Sequence, residues 1–143
     1  MRLPDANLLI YALDSTSPRH LAARKWLDAT LSGSEPVGLA WLVLLAVVRI
    51  TTHPSIFANP YQPEEAFDVI DGWLAQPSAI VVHPTDRHAA VLRSLLAPLG
   101  TAGNLANDAH LAALGVEHRA IVCSCDADFS RFPGLEWVDP LRA

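Results

Sequence analysis

The chain reads as a three-layer α/β/α sandwich around a mostly parallel central sheet. Three observations lead there. Short apolar runs of strand length alternate with helix-length segments from one end of the chain to the other. Pro and Gly punctuate that alternation without forming a repeat or a low-complexity linker. Hydrophobic residues make up 51% and charged residues 17% of 143 positions, which suits one well-filled core, so a single domain over 1–143 is expected.

Arg2 to Pro4 is a very short first strand, and Asn7 to Leu13 reads as the helix that follows Asp5. Ser17 is suited to cap the next helix with Pro18 at its first position, and Leu21, Ala23, Leu27 and Leu31 recur near helical spacing. That helix stops near Ser32-Gly33-Ser34. Val37 to Ala40 is a second strand, followed by a helix from Trp41 to about Thr51 that His53-Pro54 terminates. Phe57 to Gln62 is a loop. Pro63-Glu64-Glu65 opens a helix with its acids where the macrodipole favours them, and Phe67, Ile70 and Leu74 form its apolar stripe. Ala79 to Val82 is a third strand. Thr85 or Asp86 caps a helix through Leu96, Gly100 to Gly103 make a loop, and a helix runs from about Leu105 to Leu114. Ala120 to Ser124 and Leu135 to Val138 complete the strands, the last at an edge.

The bulk numbers exclude several classes. A formal net charge of -5 argues against bulk electrostatic attraction to nucleic acid but leaves room for a local basic patch. Only Cys123 and Cys125 are present, too few for a zinc set, and they read as reduced thiols suited to the cytoplasm. Asp5 and Asn7 interrupt the stretch where an export signal would need continuous apolar residues. The longest apolar run, Val37 to Val48, is shorter than the roughly 20 residues that span a bilayer. The six histidines show no paired ligand spacing, and most read as surface or helix-end residues.

Open α/β sheets place their sites at the carboxyl ends of strands. Asp5 follows the first strand, Asp126 and Asp128 follow the fourth, and Asp108 opens the helix of NLANDAHLAALG. If the fourth strand stays extended, Asp126 and Asp128 point to one face. Clustered carboxylates repel, so a cation joins them or a proton neutralises one. An oxygen-only donor set suits Mg²⁺, which is held by one or two carboxylates plus substrate phosphate and promotes phosphodiester hydrolysis.

At these residues the chain resembles the PIN-domain ribonucleases, most of all the VapC toxins of bacterial toxin–antitoxin pairs. The likeness is carried by PDANLLIYA, NDAHLAAL and SCDADFSRFPGLEW, with WLVLLAVVRITTHP resembling an actinobacterial subgroup. The resemblance implies a PIN fold, Mg²⁺- or Mn²⁺-dependent endoribonuclease activity on structured RNA such as tRNA or an rRNA loop, and products with 5'-phosphate and 3'-hydroxyl ends. It also implies a homodimer and inhibition by a VapB-type antitoxin. Carried over by position, Asp5, Asp108 and Asp126 are the catalytic, metal-site acids, with Asp128 a further metal ligand and Asn7 and Ser124 in support. One position departs: where many relatives carry a Glu three residues before a basic position like Arg49, this chain has Ala46. The missing carboxylate favours activity with one metal.

Blander readings stand beside these. Asp5 between strand and helix is what an N-cap looks like, Asp108 can merely complement a helix dipole, and Asp126 and Asp128 can form an Asx-turn. Ser124 lies in no nucleophile elbow, so its hydroxyl is suited to orienting a ligand or water. Arg49 is read as a structural partner of a carboxylate before an RNA contact. The four tryptophans are read as core or interface before base-stacking platforms. Arg87 and Arg93 share one helix as a solvated face. The alternative function is a catalytically weak PIN-like module that binds RNA or a partner, and a phosphatase ranks last because Asp5-Ala6-Asn7 lacks the nucleophile motif.

Overall fold

The computed structural model describes residues 1–142. Five strands of three residues each form one sheet: β1 (Arg2–Pro4), β2 (Val37–Leu39), β3 (Ala79–Val81), β4 (Ile121–Cys123) and β5 (Glu136–Val138). Their order is β3-β2-β1-β4-β5 and every pairing is parallel, so the expected mostly parallel sheet is wholly parallel. Parallel neighbours need crossovers, supplied by α1 (Ala6–Leu13), α2 (His20–Ser32), α3 (Trp41–Thr51), α4 (Pro63–Leu74), α5 (His88–Leu96) and α6 (Ala106–His118), and between β4 and β5 by a segment with the 3₁₀ turn Ala127–Arg131. Right-handed crossovers put α1 to α4 on one face and α5 and α6 on the other. The packing agrees: α1 lies on α2 and α3, α3 on α4, and α5 on α6.

Leu3, Val37, Leu39 and Val122 of the central strands are at most 1% exposed, which makes the sheet the floor of both apolar layers. A strand covered on both faces must be apolar at consecutive positions. Gly38 lies between Leu3 and Val82, whose side chains leave no room for a Cβ, so a glycine lets β2 sit this close to its neighbours.

Several boundaries differ from the sequence reading. α2 begins at His20, because Ser17 and Pro18 form a turn in which the Ser17 hydroxyl accepts from the Arg19 N–H at 3.1 Å. Leu21, 79% exposed, points away from the stripe of Ala23, Leu27 and Leu31, as does Phe67 from that of α4. α5 starts after Arg87, with Thr85 accepting the Arg87 N–H through its hydroxyl. α6 continues to His118, four residues past the expected end, and stops where Arg119 turns left-handed at φ 52°. No described helix is long and apolar enough to cross a membrane.

β1 and β4 are adjacent, yet the chain leaves β1 toward β2 and leaves β4 toward β5. That reversal opens a crevice at their carboxyl ends. The Asp5 N–H donates to the Cys123 carbonyl at 2.8 Å, joining the two strand ends at its floor.

Candidate functional site

Asp5 ends β1 and caps α1: its Oδ1 accepts the Ala6 N–H at 2.7 Å. The bland N-cap reading is therefore correct as far as it goes. Its other oxygen, Oδ2, accepts the Ser124 hydroxyl at 2.7 Å. Ser124 is fully buried, and its Oγ also accepts from Asn7 Nδ2 at 3.0 Å and from the Asp126 N–H at 3.0 Å. One donor and two acceptor sites are all a hydroxyl has. Ser124 thus orients its neighbours and has no free lone pair for nucleophilic attack. Asn7 completes the tie, its Oδ1 accepting the Cys125 N–H at 3.4 Å.

Asp126 and Asp128 do not lie on an extended strand. β4 ends at Cys123, and Ala127–Arg131 is a 3₁₀ turn whose N-cap is Asp126, its Oδ1 accepting the Asp128 N–H at 2.9 Å. The Asx-turn reading holds, and the turn itself brings the two carboxylates to the same side. Asp108 reaches them from the first turn of α6. One oxygen each of Asp108, Asp126 and Asp128 lie within 4.8 Å of one another. Asp5 is outside that triplet, fastened to Ser124 beside it.

The electrostatics report the crowding. Burial, then the charges of Asp5, Asp126 and Asp128, push the Asp108 carboxyl up to about 6. Asp5 is also raised, by burial and by Asp126, against the lowering hydrogen bonds from Ser124 and Ala6. Carboxylates that repel in this way, all oxygen donors and partly open to solvent, fit a hard divalent cation.

Beside the acids a cavity of about 550 Å³ opens between α1, α3 and the start of α6. Asp5, Asn107 and Asp108 stand on one side, and Leu42, Leu45 and Ile50 help form an apolar wall on the other. Ala46 lines this cavity, so its methyl group, and no carboxylate, faces it from that position. Arg49 lines it too, is exposed, and forms no ion pair among the described residues, which overturns its reading as a structural partner of a carboxylate.

Sequence reasoning missed a second polar cluster. Glu117, 7% exposed, takes the Thr85 N–H and hydroxyl on Oε1 at 2.9 and 2.6 Å and His88 Nδ1 on Oε2 at 2.6 Å. His88 Nε2 in turn meets His110 Nδ1 at 3.0 Å. His88, at the start of α5 as a helix-end reading expects, and His110 are therefore partly buried partners between α5 and α6. Their spacing of 22 positions carries no motif that a local reading could detect.

A profile of the PIN domain matches residues 2–135. The chain belongs to the PIN-domain family. Within that family it is similar to Ribonuclease VapC37 of Mycobacterium tuberculosis, 50% identical over 140 residues that cover 98% of this chain and 97% of that one. It is also 39% identical to Ribonuclease VapC33 of the same species over 142 residues, 99% of either chain. This PIN domain is thus of the VapC type. Among solved structures, VapBC-1 from nontypeable Haemophilus influenzae superposes with a TM-score of 0.69 at 17% identity, covering 99% of this chain and 98% of that one. The fold is shared where little sequence is. In this PIN domain the crevice at the β1 and β4 ends is where Asp108, Asp126 and Asp128 come together beside Asp5.

Proposed function

We propose that this VapC-type PIN domain is the toxin of a type II toxin–antitoxin pair and hydrolyses phosphodiester bonds in structured RNA, a tRNA or an rRNA loop, with a divalent cation, Mg²⁺ or Mn²⁺. The observation that carries it is the convergence of Asp108, Asp126 and Asp128 within 4.8 Å, next to an Asp5 immobilised by Ser124. The names of its relatives, both called ribonucleases, support the substrate class.

Asp108, Asp126 and Asp128 would hold the cation, with Asp5 adjoining it. When bound, the cation makes water a stronger nucleophile at neutral pH and offsets charge growing on the phosphate oxygens. Each Asp5 oxygen accepts one hydrogen bond from the protein, so each keeps a lone pair able to receive a proton from the attacking water. Ser124 and the α1 N-terminus hold that carboxylate in place as the reaction proceeds. The water oxygen bonds to phosphorus, the P–O3' bond breaks, and the 3'-oxygen leaves with a proton, which yields a 5'-phosphate and a 3'-hydroxyl.

The partner surfaces are proposed on the same basis. Trp41 and Leu45 of α3, with Ile56 and Phe67 nearby in sequence, are exposed apolar side chains that suit a homodimer and a VapB-type antitoxin. An arginine from the antitoxin would find in the acid cluster a receptor for its fork.

Ala46 motivates a second reading, a PIN domain that binds RNA or a partner without cutting. One experiment separates the two: total RNA with Mg²⁺, with EDTA, and with Asp108→Ala or Asp5→Ala protein. The toxin reading expects cleavage in the first alone. Cleavage unchanged in all of them would refute the metal site, and cleavage in none would leave the binding module.

A further inference from the structure

A second cavity of about 490 Å³ lies on the β5 side of β4, whereas the Arg49 cavity is lined by α3, which follows β2 on the far side of β1. Its walls come from three places far apart in the chain: the turn before α2, the loop after β4, and the residues after β5. Arg19, Cys125, Ala127, Trp137, Asp139 and Arg142 line it. Cys125 and Ala127 flank Asp126 in the chain, so this wall is one residue from an acid of the cluster. β5 sits one strand spacing, about 4.8 Å, beyond β4, and a chain laid across the strand ends would meet both.

The charge there is opposite in sign to that of the cluster. Arg19 and Arg142 supply two guanidiniums against the single carboxylate of Asp139, whose Oδ1 accepts the Leu141 N–H at 3.0 Å and the Cys125 thiol at 3.5 Å. Neither arginine pairs with an acid among the described residues, whereas Arg2 and Arg24 do. Arg19 is also held in place. Its guanidinium lies over the Tyr11 ring at 5.6 Å, and its N–H is tied to Ser17. Trp137 is fixed by its indole N–H on the Ser124 carbonyl at 3.0 Å, so one wall is anchored to the residue that orients Asp5.

A protein of net charge -5 that cuts a polyanion beside a knot of carboxylates needs cations where the strand enters or leaves. We propose that this cavity is a phosphate subsite for the RNA strand flanking the scissile bond, with Arg19 and Arg142 as its two contacts. The inference rests on the ribonuclease reading and specifies where the substrate lies. Arg49 marks the opposite flank, so the strand runs from the α3 side, across the acids, to the β5 side.

The test uses the full chain carrying Asp108→Asn, to suppress cutting, and a fluorescein-labelled pool of random single-stranded RNA 12-mers. Anisotropy is read over a salt series, and cleavage of the same pool is followed in the unmutated background. Arg19→Ala and Arg142→Ala are each expected to weaken binding about fivefold and to flatten the log–log salt slope by about 0.7, the value of one lost phosphate contact on a single strand. Arg19→Lys should restore the slope. Arg24→Ala, outside the cavity, should change neither quantity, and in cleavage assays the arginine variants should raise KM and spare kcat. Unaltered binding and KM in both alanine variants, with the parent still cutting RNA, would overturn the subsite and leave the ribonuclease reading intact. Weakened binding by a parent that never cuts would support the subsite and overturn that reading instead. Loss of affinity for an acidic peptide with RNA binding unchanged would assign the cavity to a protein partner and overturn the proposal.

Discussion

Ser124 concentrates more of the site than any acid does. Its hydroxyl binds Asp5, Asn7 and the Asp126 backbone at once, so Ser124→Ala leaves three polar groups with a partner missing. The expected costs are about 1–3 kcal/mol of stability, read by urea unfolding, and about 10–100-fold in RNA cleavage through loss of orientation. Asp108 predicts a pH dependence. Its carboxyl, raised to about 6 by burial and by its acidic neighbours, holds a proton more tightly in the folded chain than in the unfolded one. Stability from this group is therefore present below the ordinary Asp value, about 3.9, and is lost as pH rises through about 6. In EDTA at neutral pH, Asp108→Asn should raise the melting midpoint by a few degrees while abolishing cleavage, because solvent screening of this half-exposed carboxyl holds the relieved repulsion to about 1 kcal/mol or less. The gain should vanish near pH 4, and an Asn variant that melts below its parent at neutral pH would count against clustered repulsion. Ala46→Glu supplies the reverse change: a further carboxylate facing the cavity should tighten Mn²⁺ binding and lower the midpoint of the metal-free protein.

The pair α5–α6 bears on the site because α6 carries Asp108. Its lock is the chain Thr85–Glu117–His88–His110. Burial would push the Glu117 carboxyl up, but hydrogen bonds from Thr85 and His88 outweigh it and hold the group below its ordinary range. Stability from such a group is full above the unfolded Glu value, about 4.3, and is lost as pH falls through the lower folded value. Glu117→Gln should cost about 1–3 kcal/mol at neutral pH, and the gap to the parent should narrow on acidification, which unfolding curves at several pH values will show. For helices, local rules served well where one face is plainly apolar and failed at ends. α3 and α4 start where their sequences suggest, because Pro63 and the run after Ala40 leave little choice. α2 starts late because the Ser17 hydroxyl bonds within a turn, a local option as good as capping. Leu21 shows the same limit: spacing proposes a stripe, and only the neighbouring helix decides how wide it is.

For the molecule as a whole, cation binding should act as a folding ligand. At a free concentration of a hundred times its Kd, Mg²⁺ should stabilise the chain by about 2.7 kcal/mol. Combined Asp108→Asn and Asp126→Asn should remove that gain in calorimetry, and an undiminished gain would place the cation elsewhere. Read by itself, the amino-acid order determined the alternation of strands and helices, the parallel sheet, the positions of Asp5, Asp108 and Asp126 after apolar runs, and the family. These are local signals, set by periodicity, turn chemistry and short motifs. Only the tertiary structure decided that Asp128 turns back onto Asp108, that Ser124 serves three partners, that His88 and His110 meet, and that Arg19 and Arg142 line one cavity with Cys125 and Ala127. Arg19 and Arg142 meet because β5 extends the sheet beyond β4, and no periodicity records which strand lies next to which. Contacts across such separations depend on strand order and packing, to which neighbouring residues in the chain contribute almost nothing.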